Sequence, residues 1–239
     1  MQHDALAFLR LLQLGDSALP VGTAAHSFGL ETLTVEGLLT VATLETFLSA
    51  YLAEAGMLEC IFCLQGQQLA TRLVTNDLDS SEVLTRWLDL NVRLSAFKMA
   101  RESRQASAAL GRRFLQLAVG LTIHPCLPYL VQESKATACE THHSIAFGLV
   151  AGLLYAHPQS TGLAYLQQSL TGLVSACQRL LPLGQSQASQ ILWRLQPSVL
   201  HTVESSIVAA DENDISCFTA LVDLGSMNHP ALTTRLFIS

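Results

Sequence analysis

Residues 145–156 read IAFGLVAGLLYA, a run of twelve residues without a charged side chain. The run contains two glycines, and it is shorter than the ~20 mostly apolar residues that cross a membrane as a helix. It lies within a longer stretch, 141–203, whose only formal charges are Arg179 and Arg194. A stretch with so few charged residues is poorly suited to a solvent-exposed surface. We expect the helices of this stretch either to lie deep in the fold or, as we favour, to be covered by another subunit or a partner.

The composition of the whole chain shows the same shortage of charge. Half of its 239 residues are hydrophobic and 13% are charged, against about 25% in an ordinary soluble domain. No uninterrupted apolar run reaches the length of a spanning helix, so we predict no membrane span. The net charge of −6 provides no electrostatic attraction to nucleic acid. A soluble protein with so little polar surface points instead to a protein partner.

Six cysteines are scattered along the chain, too few and too irregular for a disulfide framework. The N-terminus lacks the basic and apolar regions of a secretory signal. Both observations favour a reducing, cytoplasmic location. Cys60 and Cys63 stand one helical turn apart, but a structural zinc needs two further ligands and a redox pair needs a strand before its helix. We predict that both are small buried side chains.

Apolar residues recur every three or four positions along most of the chain, which indicates helices, and strand signals are scarce. We predict an all-α fold, a single-domain bundle of roughly eight to ten helices over residues 1–239 with a short C-terminal tail at 229–239. Prolines are expected to separate the later helices. In particular, Pro197 is expected to divide a helix at 186–195 from one at 198–209.

One predicted helix is unusually long and runs from Glu82 to about Leu117, behind a capping box formed with Asp79. Five of its arginines fall on one arc of about 100° when successive residues are placed 100° apart. The helix is apolar on most of its remaining surface, so we expect it to be central. Its arginines then pair either with acidic side chains of this chain or with an acidic partner. These arginines are Arg86, Arg93, Arg101, Arg104 and Arg112.

The sequence contains none of the common catalytic motifs. It has no nucleophile elbow, phosphate-binding loop, zinc-protease helix or dinucleotide fingerprint. Four histidines have the chemistry of metal ligands, but adjacent histidines on a helix diverge and suit a helix N-terminus better than chelation. We predict no enzyme and no firm metal site; the alternative is a small helical metal-binding or redox protein that uses the cysteine pair and the histidines. The four are His26, His124, His142 and His143.

Several segments, taken in order, resemble one known family. Near the N-terminus stand LLQL at 11–14, DSALPVG at 16–22 and HSFGLE at 26–31. Further along are RESR at 101–104, AFG at 146–148, AYLQQ at 164–168, LVSA at 173–176, RLLPLGQ at 179–185 and HPALTTRLFIS at 229–239. Each segment alone is weak. Their combination, which runs the full length of the chain, resembles the urease accessory protein UreF family.

The resemblance implies a non-enzymatic, all-helical, cytoplasmic chaperone. Proteins of this family form homodimers and bridge the accessory protein UreD, also called UreH, to the nickel-carrying GTPase UreG. The assembly delivers nickel to apo-urease, and the family has been proposed to gate the GTPase cycle. The resemblance therefore implies no catalytic residue and no tightly bound cofactor, with nickel only in transit.

The resemblance also implies two partner-binding regions. The segment from Pro20 to Glu31 matches a region that contacts the GTPase and keeps the dimer assembled, and the segment from Arg235 to Ser239 matches a tail that becomes ordered on binding UreD. The chain departs from the family at Ala24, where an aromatic residue is usual, and at Ile238, where arginine is common. The expected partner-binding residues are Pro20, Gly22, His26, Ser27, Gly29, Glu31, Arg179, Gln185, Arg235, Leu236, Phe237 and Ser239.

Overall fold

Helices account for the regular structure of the computed structural model, which describes residues 2–213 and 215–238, and the side chains of these except 2–4 and 24. The helical segments are α1 (Gln2–Leu14), α2 (Leu30–Val35), α3 (Leu44–Tyr51), α4 (Met57–Val74), α5 (Ser80–Phe97), α6 (Arg101–Gly120), α7 (Cys126–Ala136), α8 (His143–Leu153), α9 (Pro158–Leu180), α10 (Gln185–Glu212) and α11 (Ala220–Asn228). A π-helical turn, Leu52–Gly56, joins α3 to α4, so ten separate helices are present in the described residues. These residues include no strand, and the prediction of an all-α bundle is confirmed.

The charge-free run at 145–156 lies mostly in α8, all of whose residues are buried. Helix α8 packs across α4, and glycines allow the two backbones to come together. A Cβ atom on Gly148 would overlap the carbonyl oxygen of Cys63. One on Gly66 would lie too close to the carbonyl oxygen of Ile145. Because glycine alone fits these positions, the α4–α8 contact becomes the centre of the core.

The remainder of the charge-poor stretch is divided between core and surface. Residues 141–154 are buried within this chain. Helix α10 begins with QSQASQ at 185–190, of which all but Ala188 are exposed. Neutral glutamine and serine side chains therefore form much of the polar surface that charged side chains form in other proteins. Trp193 on the same helix is 72% exposed, and coverage of this surface by a partner stays a prediction.

The arginine-rich region consists of two helices, so the prediction of one continuous helix is wrong. The helical path breaks at Lys98, which has a ψ of 88°, and resumes at Arg101. The Lys98 side chain turns inward to form an ion pair with Glu59 of α4. Its carbonyl oxygen accepts a hydrogen bond from Nη1 of Arg104 at 3.0 Å. The helical periodicity of the sequence does not predict this tertiary contact.

The arginines of this region differ in their surroundings. Nη2 of Arg93 donates to Oδ1 of Asn213 at 2.8 Å. Nε of Arg104 lies 3.4 Å from Oε2 of Glu140. These two side chains thus have partners within the chain, as the intramolecular alternative predicts. Three others, Arg86, Arg101 and Arg112, are exposed.

Local sequence signals at helix ends had mixed outcomes. The predicted capping box is present: Oδ1 of Asp79 accepts from the Glu82 amide at 2.9 Å, and Oε2 of Glu82 accepts from the Asp79 amide at 3.0 Å. The prediction that Pro197 ends a helix is wrong, because α10 continues through it. Pro197 is exposed, so the carbonyl that loses its helical partner can bond to water.

One helix passes a length-and-composition test for a membrane span. It is the continuous helix Leu44–Val74, and 61% of its most apolar window is buried inside the protein. The core helix of a soluble protein passes the same test, and the packing of this one against α8 fits that description. A search for uninterrupted apolar runs overlooks it because Glu54 and Glu59 interrupt the pattern.

Candidate functional site

The C-terminal tail lies against the loop and short helix that follow α1. The backbone amide of Leu236 donates to Oε1 of Glu31 at 2.6 Å, and that of Phe237 donates to Oε2 at 3.1 Å. The next amide, of Ile238, donates to the carbonyl oxygen of Ala25 at 2.9 Å. Segments from opposite ends of the sequence therefore form one site.

A histidine between two carboxylates completes this site. Nε2 of His229 lies 2.9 Å from Oε2 of Glu31, and Nδ1 lies 2.8 Å from Oε2 of Glu102. His229 is in the 3-10 turn that follows α11, and Glu102 is in the first turn of α6. We call these three side chains, together with the tail residues 235–238 that they hold, the tail clasp.

Close packing of α2 against α11 brings the members of the clasp together. Gly29, which precedes α2, has a φ of 88°, a conformation that other residues rarely adopt. A Cβ atom there would lie 2.8 Å from both the carbonyl oxygen of Val222 and the amide of Ser226 in α11. Because Gly29 has none, α11 can lie directly on the start of α2. This places the turn that carries His229 beside Glu31.

The surroundings of Glu31 stabilise its charged form. Burial by itself raises the pKa of this carboxyl group. Hydrogen bonds from the Leu236 amide, the His229 ring and the Phe237 amide outweigh burial, and the pKa lies below its ordinary value. A carboxylate that accepts several bonds is held ionised. Glu31 is therefore an anion at neutral pH and a strong acceptor for the tail.

The tail buries one of its four described side chains and exposes the other three. Phe237 is 5% exposed, and the guanidinium carbon of Arg179 lies 4.3 Å from the centre of its ring. That distance is typical of a cation–π contact. Arg235, Leu236 and Ile238 are exposed. The clasp thus anchors one aromatic side chain and leaves an arginine and two aliphatic side chains at the surface.

The loop before α2 has a second close contact. Gly22 has a φ of 88°, and a Cβ atom on it would lie 2.5 Å from Nη1 of Arg113. The same Nη1 donates to the carbonyl oxygen of Val21 at 3.4 Å. His26 is buried, and burial together with the nearby Arg113 lowers its pKa. The loop is therefore fixed to α6 by an arginine that the sequence analysis did not select.

The other expected site residues are distributed as follows. Ser27 is buried, and its hydroxyl has no hydrogen-bonding partner in the described structure. Pro20 and Gln185 are exposed. Ser239 and the side chain of Ala24 lie outside the described residues.

Two of the three polar members of the clasp are not among the expected partner-binding residues. Glu102 and His229 both occur in the segments that carry the family resemblance, and His229 was considered only as a possible stop on a nickel route. Their pairing joins positions 127 residues apart, and a single sequence does not show such a contact. One signal was available for Glu102, because a charged residue in a helix expected to be central needs a partner.

Cys60 and Cys63 are buried, as predicted. Burial raises the pKa of Cys60 to about 12 and that of Cys63 well above its ordinary value. Metal binding and redox exchange both use the thiolate, which this environment opposes. Among the described residues, no group of three or more His, Cys, Asp and Glu side chains could hold a metal ion.

The adjacent histidines stand at the start of α8, as expected. His142 precedes the helix and His143 is its first residue. Nδ1 of His142 lies 3.1 Å from the Ser107 hydroxyl, and Nε2 lies 2.8 Å from the Ser95 hydroxyl. Burial lowers the pKa of His142 to about 3 and that of His143 to about 4. Both are neutral core side chains at physiological pH.

A cavity of about 100 Å³ lies between the loop before α2 and the core. Thr23 and His26 line it on the loop side. The buried ion pair of Glu59 and Lys98 lines it on the core side, and the Tyr165 hydroxyl donates to Oε2 of Glu59 at 3.4 Å. The cavity therefore lies between the loop that precedes α2 and the central helices.

The all-helical fold and the tail clasp together define a helical protein that holds its own extended C-terminal tail against its surface. The chain belongs to the UreF family of urease accessory proteins. The UreF family model matches residues 38–196, and several relatives match nearly the whole chain.

Three of these relatives show how far the similarity extends. The urease accessory protein UreF of Nostoc sp. strain PCC 7120 is 35% identical, covering 97% of this chain and 96% of its own length. UreF of Lachnoclostridium phytofermentans is 32% identical, covering 97% of this chain and 98% of its own length. UreF of Actinobacillus pleuropneumoniae serotype 5b is 31% identical, covering 96% of this chain and 97% of its own length.

Proposed function

We propose that this chain is a non-enzymatic scaffold for urease maturation. It acts in the cytoplasm as a homodimer and bridges UreD (UreH) to the GTPase UreG, so that nickel reaches apo-urease. Nickel is cargo in this proposal, and the chain itself holds no tightly bound cofactor. The observation that supports the proposal best is the tail clasp, in which segments that carry the family resemblance meet at one surface site.

The exposed face of the tail has the composition of a protein-binding hot spot. Arg235, Leu236 and Ile238 point away from the body of the protein, and arginine is enriched among the residues that dominate binding energies. Their backbone is already fixed by three hydrogen bonds to the protein. A pre-ordered segment binds with a smaller loss of conformational entropy. The clasp therefore prepares the tail for a partner.

The helix before the tail extends this surface. Phe218, just before α11, is 78% exposed. Leu221, Leu224 and Met227 follow at intervals of three residues and are also exposed. Apolar side chains at this spacing form a stripe along one face of a helix. Together with the outward tail residues, the stripe fits an interface with UreD or with a second copy of the chain.

Substitution of Arg235 by alanine tests the role of the tail. We expect Arg235→Ala to abolish urease activation in cells that carry the urease genes, while the isolated protein keeps its helical circular dichroism spectrum. The physical reason is the loss of an exposed arginine from the centre of the partner surface. Arg72→Ala, at an exposed arginine in the last turn of α4, is the matched control and should activate normally.

Assembly is measured in the same experiment by co-expressing each variant with UreD and UreG and sizing the complex. Arg235→Ala should fail to enter a complex that contains UreG, and the control should enter it. Full urease activity with Arg235→Ala, or with residues 235–239 deleted, would refute this role of the tail. Failure of the wild-type chain to join UreD and UreG would refute the proposed function itself.

A further inference from the structure

The hydrogen bonds around His229 require an additional proton. Its two ring nitrogens lie 2.8 and 2.9 Å from carboxylate oxygens of Glu102 and Glu31. An ionised carboxylate only accepts hydrogen bonds, and a neutral imidazole donates only one. Both contacts are satisfied when the ring carries a proton on each nitrogen. A neutral ring would leave one lone pair facing a carboxylate.

The remaining contacts place this proton on the ring. Glu31 also accepts the amides of Leu236 and Phe237, and protonation of its carboxyl group would weaken both bonds. Glu102, on the opposite side of the ring, is half-buried. In the described structure, His229 is the basic side chain that lies within ion-pair distance of both carboxylates.

The other charged groups on the surrounding elements are exposed or contact residues other than His229. Arg101 precedes Glu102 and is exposed, as is Arg235 in the tail. Arg179 of α9 faces the ring of Phe237. Asp223 of α11 accepts a hydrogen bond from the Thr219 hydroxyl at 2.7 Å. His229 is thus the titratable link between α2, α6 and the tail.

We propose that Glu102 is a positioning residue, which acts through doubly protonated His229 to hold Glu31 against the tail, so that docking of the tail depends on one proton. This inference rests on the proposed function, because only that function gives the tail a role. Docking of the tail can nevertheless be measured on the isolated chain. Failure of this inference would therefore leave the proposed function standing.

The proton dependence has a definite direction. The bound tail favours the doubly protonated ring, so docking weakens when a rise in pH removes one of these protons, as long as the pH stays high enough to keep Glu31 ionised. Loss of the proton exchanges a charge-assisted hydrogen bond for a repulsive contact, which weakens docking by about tenfold or more. The histidine side chain titrates nearer to physiological pH than any other. The tail is therefore released on the alkaline side.

Nuclear magnetic resonance of the full-length, ¹⁵N-labelled chain tests this inference. Amides that donate to a carboxylate resonate downfield, so the signals of Leu236 and Phe237 report docking directly. In the wild type we expect both signals to be downfield at pH 6 and to move towards random-coil positions by pH 9. Signals that stay at one position across this range, docked or free, would overturn the proposal.

Two variants separate positioning from simple structural support. Glu102→Gln keeps the shape of the side chain, and its amide can donate to a neutral ring, so the tail should stay docked at pH 9. His229→Gln cannot titrate and should abolish the pH-dependent step. Glu204→Gln, at an exposed glutamate on α10, is the control and should titrate like the wild type. A wild-type step in either clasp variant would refute the role of the proton.

Discussion

At the scale of single residues, Glu31 has more contacts to the tail than any other side chain of the clasp. The family resemblance selected it, but the sequence did not show what it binds. Its partners are 198 to 206 positions away, and no periodicity or spacing encodes a contact at that distance. His229 and Glu102 were missed for the same reason. Resemblance can indicate a residue, whereas the tertiary fold is needed to show its role.

The lowered pKa of Glu31 predicts how stability depends on acid. The Glu31 carboxyl group has a lower pKa in the folded protein than in the unfolded chain. Its contribution to the free energy of unfolding is therefore present above about pH 4.5 and is lost as the pH falls through the pKa of the folded state. Glu31→Gln should therefore be less stable than the wild type at pH 7 by about 1–3 kcal/mol. The difference should shrink towards pH 3.

Urea unfolding at a series of pH values measures this difference. Asp89→Asn, at an exposed carboxylate on α5, serves as the control and should remain within about 0.5 kcal/mol of the wild type. A constant difference between Glu31→Gln and the wild type from pH 7 to pH 3 would contradict the argument from the pKa.

At the scale of helices, the sequence predicted what is local. The number of helices and the capping box at Asp79 follow from periodicity and helix-terminal residues, and both are confirmed. The break at Lys98 was missed because it depends on a buried ion pair with Glu59. The continuity of α10 through Pro197 was missed because an exposed proline can be accommodated by water. Errors therefore occur where a tertiary contact or solvent overrides a local preference.

The glycine contact between α4 and α8 makes a prediction at this scale. Gly148→Ala would place a Cβ atom against the Cys63 carbonyl, so the two helices would have to separate. We expect a loss of about 1–3 kcal/mol or more from this overpacking, measured by urea unfolding. Gly172→Ala is the matched control, because apart from its chain neighbours and the backbone of its own helix no atom lies within 4 Å of its Cβ position. That variant should gain about 0.5–1 kcal/mol from its higher helix propensity. Equal stabilities for the two variants would contradict the close approach.

At the scale of the whole molecule, the shortage of charge has two separate causes. Helix α8 needs no charge because it is buried. The surface includes large apolar side chains on α1, α10, α11 and the tail, among them Phe8, Trp193, Leu224 and Ile238. Composition alone predicted a partner but could not say which helices are internal and which are exposed. The structure shows that the exposed apolar side chains lie on the outer elements, where a partner would cover them.

Hydrogen exchange can test this assignment. On addition of UreD, we expect slower exchange in peptides from α11 and the tail, whose outward side chains would become buried. Peptides from α8 provide an internal control, since the helix is already buried and should not change. Mass spectrometry of both states measures the difference. Equal exchange in α11 with and without UreD would place the interface elsewhere.

The large sequence separation across the clasp also sets the order in which the protein folds. Bonds that join residues about 200 positions apart close a very long loop, and the entropy of closure delays such contacts. The α4–α8 core joins segments much nearer in sequence and can form first. We therefore expect the clasp to form after this core. A newly made chain would then pass through an interval in which its core is complete and its tail is free.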